Sequence, residues 1–335
     1  MRYYLLAELR ENYPNLIDGS TVYNDYVSRK SMNDFCEALN KIGLDCTFFG
    51  GMKELLELYK SHTNISDIIF INYNYGLPSN YKRAQSPILL ELIGAKYSGS
   101  DPFSMLLAND KEFTKKVVRS AKIGTPTSAL ITDINTIESK FESFNISFPV
   151  VVKPNCEGSS LGITSDCLCT CYDEMKIISQ RLLKKYNEVI VEQYIAGYEC
   201  TVWLIGNPDK FHLVAPLLIS VNGDFYFKNK IFTMTDKANR IRKYELPEER
   251  LELKRVSEIV AVSKKIFEEL GLRDYARLDF RLTHDEVYFI EANPLPIFSQ
   301  TSEIGSISNL YGISYEQLCK MMVDSVNERL MTQAD

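Results

Sequence analysis

The sequence of 335 residues lacks the features of several protein classes. Its three histidines, His62, His212 and His284, lie in different contexts and give no case for a Ser/His/Asp or Cys/His catalytic set. No apolar run approaches the roughly 18 residues that span a membrane, and the short apolar N-terminus is followed at once by charges, unlike a secretory signal. The net charge of −6 argues against nonspecific nucleic-acid binding. These absences predict a cytoplasmic protein that binds neither nucleic acid nor membrane.

The eight cysteines are scattered and share no disulfide-framework spacing, which predicts reduced thiols. Cys167, Cys169 and Cys171 are the exception, because their alternate spacing in a strand puts all three on one face. They could bind a soft metal, but no second cluster or nearby histidine completes a tetrahedral set. Buried small side chains on a strand are the favoured interpretation, and the role of the three thiols stays open.

The first hundred residues alternate between strand-like and helix-like segments, which predicts a βαβ pattern and a parallel sheet. The predicted strands are 3–7, 46–49 and 67–72, with a helix at 28–42. Pro102 opens a helical stretch that extends to about residue 123, and a further helix is predicted at 255–270. The expected domains are 1–101, 102–190 and 191–335.

The most informative stretch is 275–293, which reads as a β-hairpin with an acidic residue on each strand. If the loop is 284–286, Asp279 faces Glu291 across the ladder and Arg277 faces Asn293 on the same face. The two carboxylates would repel each other unless a hard cation such as Mg²⁺ lies between them. The alternative is an exposed hairpin with solvated charges.

The stretch 148–162 sets a β-branched strand ending in Lys153 before a loop of two glycines and two serines. Glycines let the backbone approach an anion, and a lysine at the strand end supplies a positive charge, so this loop can wrap phosphates. The alternative is a simple turn. Lys111 upstream and the hairpin carboxylates downstream favour a nucleotide, which needs cations and a metal around one set of phosphates.

Glu192 and Glu199 lie on either side of Gly197, after an apolar strand. One could accept a hydrogen bond from an adenine amino group and the other could bind ribose hydroxyls. Taken alone, both are more typical of surface glutamates.

The order of these segments along the chain resembles the ATP-grasp superfamily and is most similar to the D-alanine–D-alanine ligases and their relatives. The likeness extends from about residue 72 to 324. It implies an α/β protein with a three-domain ATP-grasp fold, in which an N-terminal parallel α/β domain precedes two α+β domains that hold ATP between them. The segments that carry it are Lys111, VVKPNCEGSSLG at 151–162, VEQYIAGYECTV at 191–202, ARLDF at 276–280 and IEANPLP at 290–296.

The resemblance implies a role for each matching residue. In the nucleotide site, Glu192 takes the adenine amino group, Glu199 takes the ribose, and Phe225 flanks the base. The loop 157–162 closes over the phosphates. The implied nucleotide-binding residues are Lys111, Lys153, Glu157, Gly158, Ser159, Ser160, Gly162, Glu192, Gln193, Tyr194, Ile195, Glu199, Phe225 and Lys230.

The remaining roles concern the metal and the substrates. The resemblance implies two Mg²⁺ ions, a catalytic set and a substrate set. The metal ligands are Asp279, Glu291 and Asn293, the catalytic residues are Arg277, Ser159 and Lys230, and the substrate residues are Arg277, Ser302, Asn24 and Asp25.

Three departures from the family's pattern fall in the substrate region. Asn24 stands where the family has a glutamate, Ile231 follows Lys230 where a tyrosine is expected, and Ile297 replaces a glycine after Pro296. We therefore expect an ATP-dependent ligase that joins a small-molecule carboxylate to an amine through an acyl phosphate, on amino acids other than two D-alanines.

Three alternatives stay open at this stage. The acceptor could be bound to a carrier protein, or the substrates could both be D-alanine. A nucleotide-binding protein without ligase activity would have no need for Arg277 together with Asp279 and Glu291, which speaks against it. The resemblance also suggests a homodimer, by analogy alone.

Overall fold

A computed structural model describes residues 1–13, 26–143, 145–158, 160–233, 236 and 241–332. The first sheet has four parallel strands in the order β2-β1-β3-β4, which confirms the predicted N-terminal parallel α/β arrangement. Helix α1 begins where the Ser28 side chain accepts a hydrogen bond from the N–H of Ser31. The elements are β1 (Arg2–Leu6), α1 (Arg29–Lys41), β2 (Cys46–Gly50), α2 (Met52–Ser61), β3 (Ile68–Asn72), α3 (Lys82–Leu92) and β4 (Lys96–Tyr97).

The helical stretch predicted at 102–123 is two helices, so that prediction was wrong in one respect. Helix α4 (Pro102–Asn109) ends before Asp110, whose backbone is extended, and α5 (Lys111–Ser120) begins directly after it. The Asp110 side chain accepts a hydrogen bond from the N–H of Phe113 and so caps α5. The break places Lys111 at the first position of α5.

A second sheet is antiparallel, with the strand order β5-β8-β6-β7. Its apolar face packs against α7 and forms a core of its own. The domain boundary predicted at 190 stays a prediction, and β8 runs across that position. The elements are β5 (Ser128–Ile131), α6 (Ile137–Ser143), β6 (Val150–Pro154), β7 (Leu168–Cys169), α7 (Tyr172–Leu183) and β8 (Val189–Gln193).

The three alternating cysteines do not share one strand. Only Cys169 lies in a strand, while Cys167 ends the short helical turn before it and Cys171 is the residue preceding α7. Cys167 and Cys169 are buried and Cys171 is exposed. The favoured interpretation as buried small side chains therefore holds for two of the three thiols.

The third sheet has six strands and is antiparallel throughout, with the order β12-β10-β9-β13-β14 and β11 paired to β9. One core joins it to the first sheet, because Trp203 and Tyr275 from this sheet pack in one cluster with Phe35 and Tyr73. The elements are β9 (Gly197–Asn207), β10 (Lys210–Val221), β11 (Tyr226–Phe227), β12 (Arg242–Glu245), α8 (Leu253–Glu269), β13 (Tyr275–Leu282), β14 (Val287–Asn293), α9 (Glu303–Tyr311) and α10 (Tyr315–Thr332).

No helix in the described ranges combines the length and the apolar character that crossing a membrane requires.

Candidate active site

The hairpin of β13 and β14 pairs Asp279 with Glu291 and Arg277 with Asn293, as predicted. The turn is longer than expected, because Leu282 pairs with Val287 and leaves four residues in the loop. A β-bulge between Asp279 and Phe280 restores the register by adding one unpaired residue, Ile290, to β14. Without it, every side chain beyond the bulge would switch faces. The bulge therefore brings the two carboxylates to the same face.

A cavity of about 840 Å³ lies between the two antiparallel sheets, closed on one side by residues of the first sheet's unit. It brings together most of the predicted site, drawn from the second and third of the expected domains. The predicted residues that line it are Lys111, Lys153, Glu157, Gly158, Ser160, Glu192, Gln193, Tyr194, Ile195, Glu199, Arg277, Asp279, Glu291, Asn293 and Ser302.

Glu192 is a buried charge partner and not a surface glutamate. Its Oε1 lies 2.6 Å from Nζ of Lys153, and its Oε2 lies 3.0 Å from Nζ of Lys115. Burial alone would raise the pKa of Glu192, but the two lysines outweigh it and lower that pKa. For Lys115 burial dominates and lowers the pKa to about 8. Lys115 also donates to the carbonyl oxygen of Ile290 at 2.7 Å, so it holds the bulge in place.

Glu291 stays ionised because cations surround it. Nζ of Lys111 lies 3.5 Å from its Oε2. Burial would raise the pKa of Glu291, but Lys111, Lys153 and Arg277 lower it to about 2. The carboxylate is thus available as an anionic ligand at every physiological pH.

Asp279 is held on both oxygens. Arg277 donates to Oδ1 from Nε at 3.0 Å and to Oδ2 from Nη2 at 2.8 Å, and the Thr201 hydroxyl donates to Oδ1 at 2.7 Å. Nη1 of Arg277 also lies 3.5 Å from Oε1 of Glu303. Arg277 thereby links the hairpin to the start of α9.

The predicted phosphate loop, residues 157–162, contacts two lysines from elsewhere in the chain. Lys82 lies 2.8 Å from Oε2 of Glu157, and Lys111 donates to the Glu157 carbonyl. Gly162 does not line the cavity. It has a positive φ of 78°, and a Cβ there would lie 2.9 Å from the ring of Tyr186, so the loop needs glycine at this position. Ser159 lies outside the described residues.

Three further predicted residues are Glu199 for the ribose, Phe225 for the base and Lys230 as a loop lysine. Glu199 lines the cavity and pairs with Arg281 at 2.6 Å. Phe225, expected to flank the base, is not on the described cavity wall; Arg250 stacks on its ring at 4.0 Å. Lys230 is also off that wall and pairs with Asp224 at 2.6 Å, while Ile231 and Phe232 line the cavity next to it. Phe225 precedes β11 and Lys230 follows it. The roles that the resemblance implies for both residues stay predictions.

At the substrate end, Ser302 lines the cavity and its hydroxyl donates to the carbonyl oxygens of Ile297 and Ser299, both at 2.8 Å. Asn24 and Asp25 lie outside the described residues, so their assignment stays a prediction.

Sequence reasoning missed several charged residues that reach the site. Lys115 lies one helical turn after Lys111 on α5, a spacing that could have pointed to it. The others give no local signal, because they arrive from the unit of the first sheet, from β12 or from α9. They are Lys82, Arg83, Arg242 and Glu303.

The residues present fit a hard cation and a nucleotide. Asp279, Glu291 and Asn293 offer only carboxylate and amide oxygens, the donors that Mg²⁺ prefers. Lys111 and Lys153 are buried cations beside a loop of glycines and serines, as a polyphosphate requires. When bound, Mg²⁺ would neutralise the charge of the phosphates beside these ligands.

Comparison with known proteins decides the family. A family model described as D-ala D-ala ligase C-terminus matches residues 126–324. The D-alanine–D-alanine ligase of Aquifex aeolicus is 31% identical over 239 residues, covering 70% of this chain and 75% of that protein. The chain belongs to the D-alanine–D-alanine ligase family. The D-alanine–D-alanine ligase of Thermotoga petrophila is 27% identical over 311 residues, covering 92% of this chain and 96% of that protein.

Solved structures confirm the ATP-grasp fold of this family. The D-alanine–D-alanine ligase of Bacillus anthracis complexed with ATP matches with a TM-score of 0.74 and 21% identity over the whole of both chains. The VanG D-Ala:D-Ser ligase of Enterococcus faecalis matches with a TM-score of 0.72 and 20% identity, covering 97% of this chain and 99% of that one. As a member of the D-alanine–D-alanine ligase family, the protein is an ATP-dependent carboxylate–amine ligase.

Proposed function

We propose that the protein joins the carboxylate of one amino acid to the amine of another through an acyl phosphate, and that at least one of the two is not D-alanine. The observation that carries the first half is the pairing of Asp279 with Glu291 in a cavity that also holds Lys111, Lys153 and Arg277. Oxygens suited to a metal, cations suited to phosphates and a guanidinium suited to a carboxylate in one space support this half of the proposal.

The chemistry follows from the charges. A carboxylate is a poor electrophile, so its oxygen first attacks the γ-phosphorus of ATP and ADP leaves. The acceptor's nitrogen then attacks the acyl carbon, phosphate leaves, and the nitrogen loses a proton. Lys111 and Lys153 neutralise the phosphates, Arg277 orients the carboxylate, and the loop 157–162 keeps water from the acyl phosphate.

We propose two Mg²⁺ ions at the hairpin, held by Asp279, Glu291 and Asn293. Two carboxylates that face each other across a ladder support more than one positive charge between them and the phosphates. Mn²⁺ titration of the complex with a non-hydrolysable ATP analogue, followed by electron paramagnetic resonance, should give a stoichiometry of two.

The substrate end of the cavity supports the second half of the proposal. Ile297 and Ile231 both line the cavity with apolar side chains. Glu303 adds a carboxylate, with Nη1 of Arg242 at 3.1 Å and the Tyr244 hydroxyl at 3.4 Å from its Oε1. A pocket with a fixed ion pair suits a polar or charged substrate better than one with a methyl side chain.

A D-alanine–D-alanine ligase in the strict sense is the second candidate. It is favoured by relatives of that name that match 92% of the chain. A carrier-bound acceptor and a homodimer stay predictions.

The test is Mg²⁺-dependent ADP release with ATP and a panel of L- and D-amino acids, offered singly and in pairs, with mass spectrometry of the products. A condensed product that needs at least one amino acid other than D-alanine would support the proposal. Condensation of D-alanine alone would establish the second candidate. Nucleotide binding without turnover across the panel would move the search to carrier-bound acceptors.

A further inference from the structure

Arg83, the second residue of α3, reaches the metal site from the unit of the first sheet. Its Nη1 donates to Oδ1 of Asn293 at 3.0 Å, and its guanidinium lies 5.0 Å from the ring centre of Tyr75. The residue is only 6% exposed and lines the active-site cavity. Its buried Nε has no hydrogen-bond partner among the described residues. A buried guanidinium with an unsatisfied donor is costly unless a further acceptor completes it.

Asn293 cannot serve Arg83 and a cation equally well. Its Oδ1 has two lone pairs, and these already accept from Arg83 and from the backbone N–H of Leu295 at 3.2 Å. A cation bound to Oδ1 needs one of those positions. The Leu295 N–H is fixed in the backbone, whereas the Arg83 side chain can rotate. Like charge adds to the conflict, because the guanidinium and the cation would share one oxygen.

We propose that Arg83 occupies the cation's place on Asn293 in the free enzyme and then binds the donor substrate's carboxylate and its acyl phosphate. Once displaced, the guanidinium remains in a buried cavity beside a cation and needs an anion. Arg277 is paired with Asn293 across the ladder, so a carboxylate at this point would lie between two arginines. This assignment of the ligand rests on the proposed function.

The neighbouring Lys82 shows what a cation with a direct ion-pair partner looks like here. Lys82 is similarly buried, but it forms a direct ion pair with Glu157 and does not line the cavity within the described part of the chain. Arg83 differs in three respects. It donates a hydrogen bond to Asn293, a candidate metal ligand, it lines the cavity, and its Nε has no hydrogen-bond partner among the described residues.

The test uses Arg83→Met, which keeps the stem against Tyr75 but removes the charge, and Arg83→Lys, which keeps the charge. Arg255→Met, on α8 and off the described cavity wall, is the control. Mn²⁺ binding to the nucleotide-free protein is followed by electron paramagnetic resonance. Because a competing donor and a positive charge are lost, Arg83→Met should bind Mn²⁺ about threefold or more tightly than wild type. Arg83→Lys and Arg255→Met should bind it as wild type does.

The second readout is the KM of the donor substrate, identified by trapping its acyl phosphate with hydroxylamine. Arg83→Met should raise this KM about tenfold or more, while the KM for ATP changes less than twofold. Arg83→Lys should give an intermediate KM, because it retains the charge without the planar fork.

Unchanged or weaker Mn²⁺ binding by Arg83→Met would overturn the displacement, and an unchanged donor KM would overturn the binding of the carboxylate. If wild type turns over none of the substrate pairs, the proposed function fails, and the Mn²⁺ comparison still decides whether Arg83 and the cation compete. Thermal melting checks folding, and Arg83→Gln replaces the methionine variant if that one does not fold.

Discussion

Two glutamates in the cavity each form ion pairs with two cations. Glu192 lies between Lys115 and Lys153, and Glu303 lies between Arg242 and Arg277. Each glutamate removes repulsion between cations that would otherwise face each other in a buried space. Single substitutions in these two clusters should therefore change the enzyme's preference for substrate charge, or the free energy of unfolding, while the fold is retained.

Glu303→Gln should shift the enzyme toward acidic substrates. The change removes a negative charge 3.1 Å from Arg242 and leaves two arginines with less compensation. The ratio of kcat/KM for an acidic over a neutral amino acid, offered as the variable partner, should rise about tenfold. Glu258→Gln, which removes the charge of an exposed glutamate on α8, is the matched control. An unchanged ratio would show that Glu303 does not contribute to substrate selection.

Lys115→Met should change how stability depends on pH. Burial lowers the pKa of Lys115 from 10.5 to about 8, so between these values the folded protein binds this proton less than the unfolded chain does. The contribution of Lys115 to the free energy of unfolding therefore rises as the pH rises from about 8 to 10.5. The free energy of unfolding of wild type minus that of the variant should grow by up to about 3 kcal/mol across that window. Urea denaturation at pH 7.5 and 9.5 measures it, and a constant difference would contradict it.

Helix α3 and the predicted phosphate loop are connected by an ion pair between Lys82 and Glu157. Their ion pair, at 2.8 Å, connects the helix of the first sheet's unit to the loop that we propose closes over the phosphates. Both side chains are largely buried, so the pair is screened less than a surface pair. It is suited to limit the motion of the loop.

Lys82→Met should loosen the loop and weaken ATP binding. Removal of one partner leaves the Glu157 carboxylate partly buried without its cation, which favours loop conformations that expose it to water. Amide hydrogen exchange in 156–163 should accelerate about tenfold or more, and the KM for ATP should rise severalfold. Lys60→Met, at an exposed pair on α2, serves as the control. Exchange rates equal to those of wild type would exclude a role for this ion pair in closure.

The hairpin shows how far sequence reasoning reaches at this scale. The alternation of residues in 275–293 gave the correct partners for Asp279 and Arg277. The turn was one residue too short in the prediction, and the bulge at Ile290 compensated for the difference. The carbonyl oxygen of the bulged Ile290 accepts a hydrogen bond from Lys115, 175 positions away in sequence, and no local pattern reveals such a contact. Likewise, the sequence predicts one helix across Asp110, whereas in the structure the Asp110 side chain caps the start of α5.

The cavity is lined by residues from the units of all three sheets. Sequence alone predicts those in recognisable segments but not those that depend on how the units pack together. Residues in segments that match the family, such as Lys153 and Glu291, could be named in advance. Arg83, Arg242 and Glu303 could not, because their contribution depends on how distant elements pack against each other. Phe225 and Lys230 were named from the resemblance, and neither lies on the described cavity wall, so their roles stay predictions.

The fold should lose stability in alkaline solution. Burial raises the pKa of Cys156 and of Tyr244 to about 12, and it also raises the pKa of Cys200 and Tyr275. The folded state keeps these protons, whereas the unfolded chain releases them near 9.0 for cysteine and 10.0 for tyrosine. The free energy of unfolding should therefore fall as the pH rises above about 9.

Urea denaturation at pH 8 and pH 10 measures this loss, with a lower midpoint expected at pH 10. The Lys115 contribution acts in the opposite direction, so Lys115→Met should lose more stability than wild type over the same interval. A midpoint that is equal at both pH values in the variant would contradict the account of the buried tyrosines and cysteines.

We propose that Asp279 and Glu291 form the metal site of this ligase. The most direct measurement is Mg²⁺-dependent ADP release by Asp279→Asn, with the substrate pair that wild type accepts and with Asp285→Asn, in the turn of the same hairpin, as control. We predict that Asp279→Asn folds with the wild-type circular dichroism spectrum but releases no ADP above background, while Asp285→Asn retains full activity. Normal turnover by Asp279→Asn would contradict the metal site.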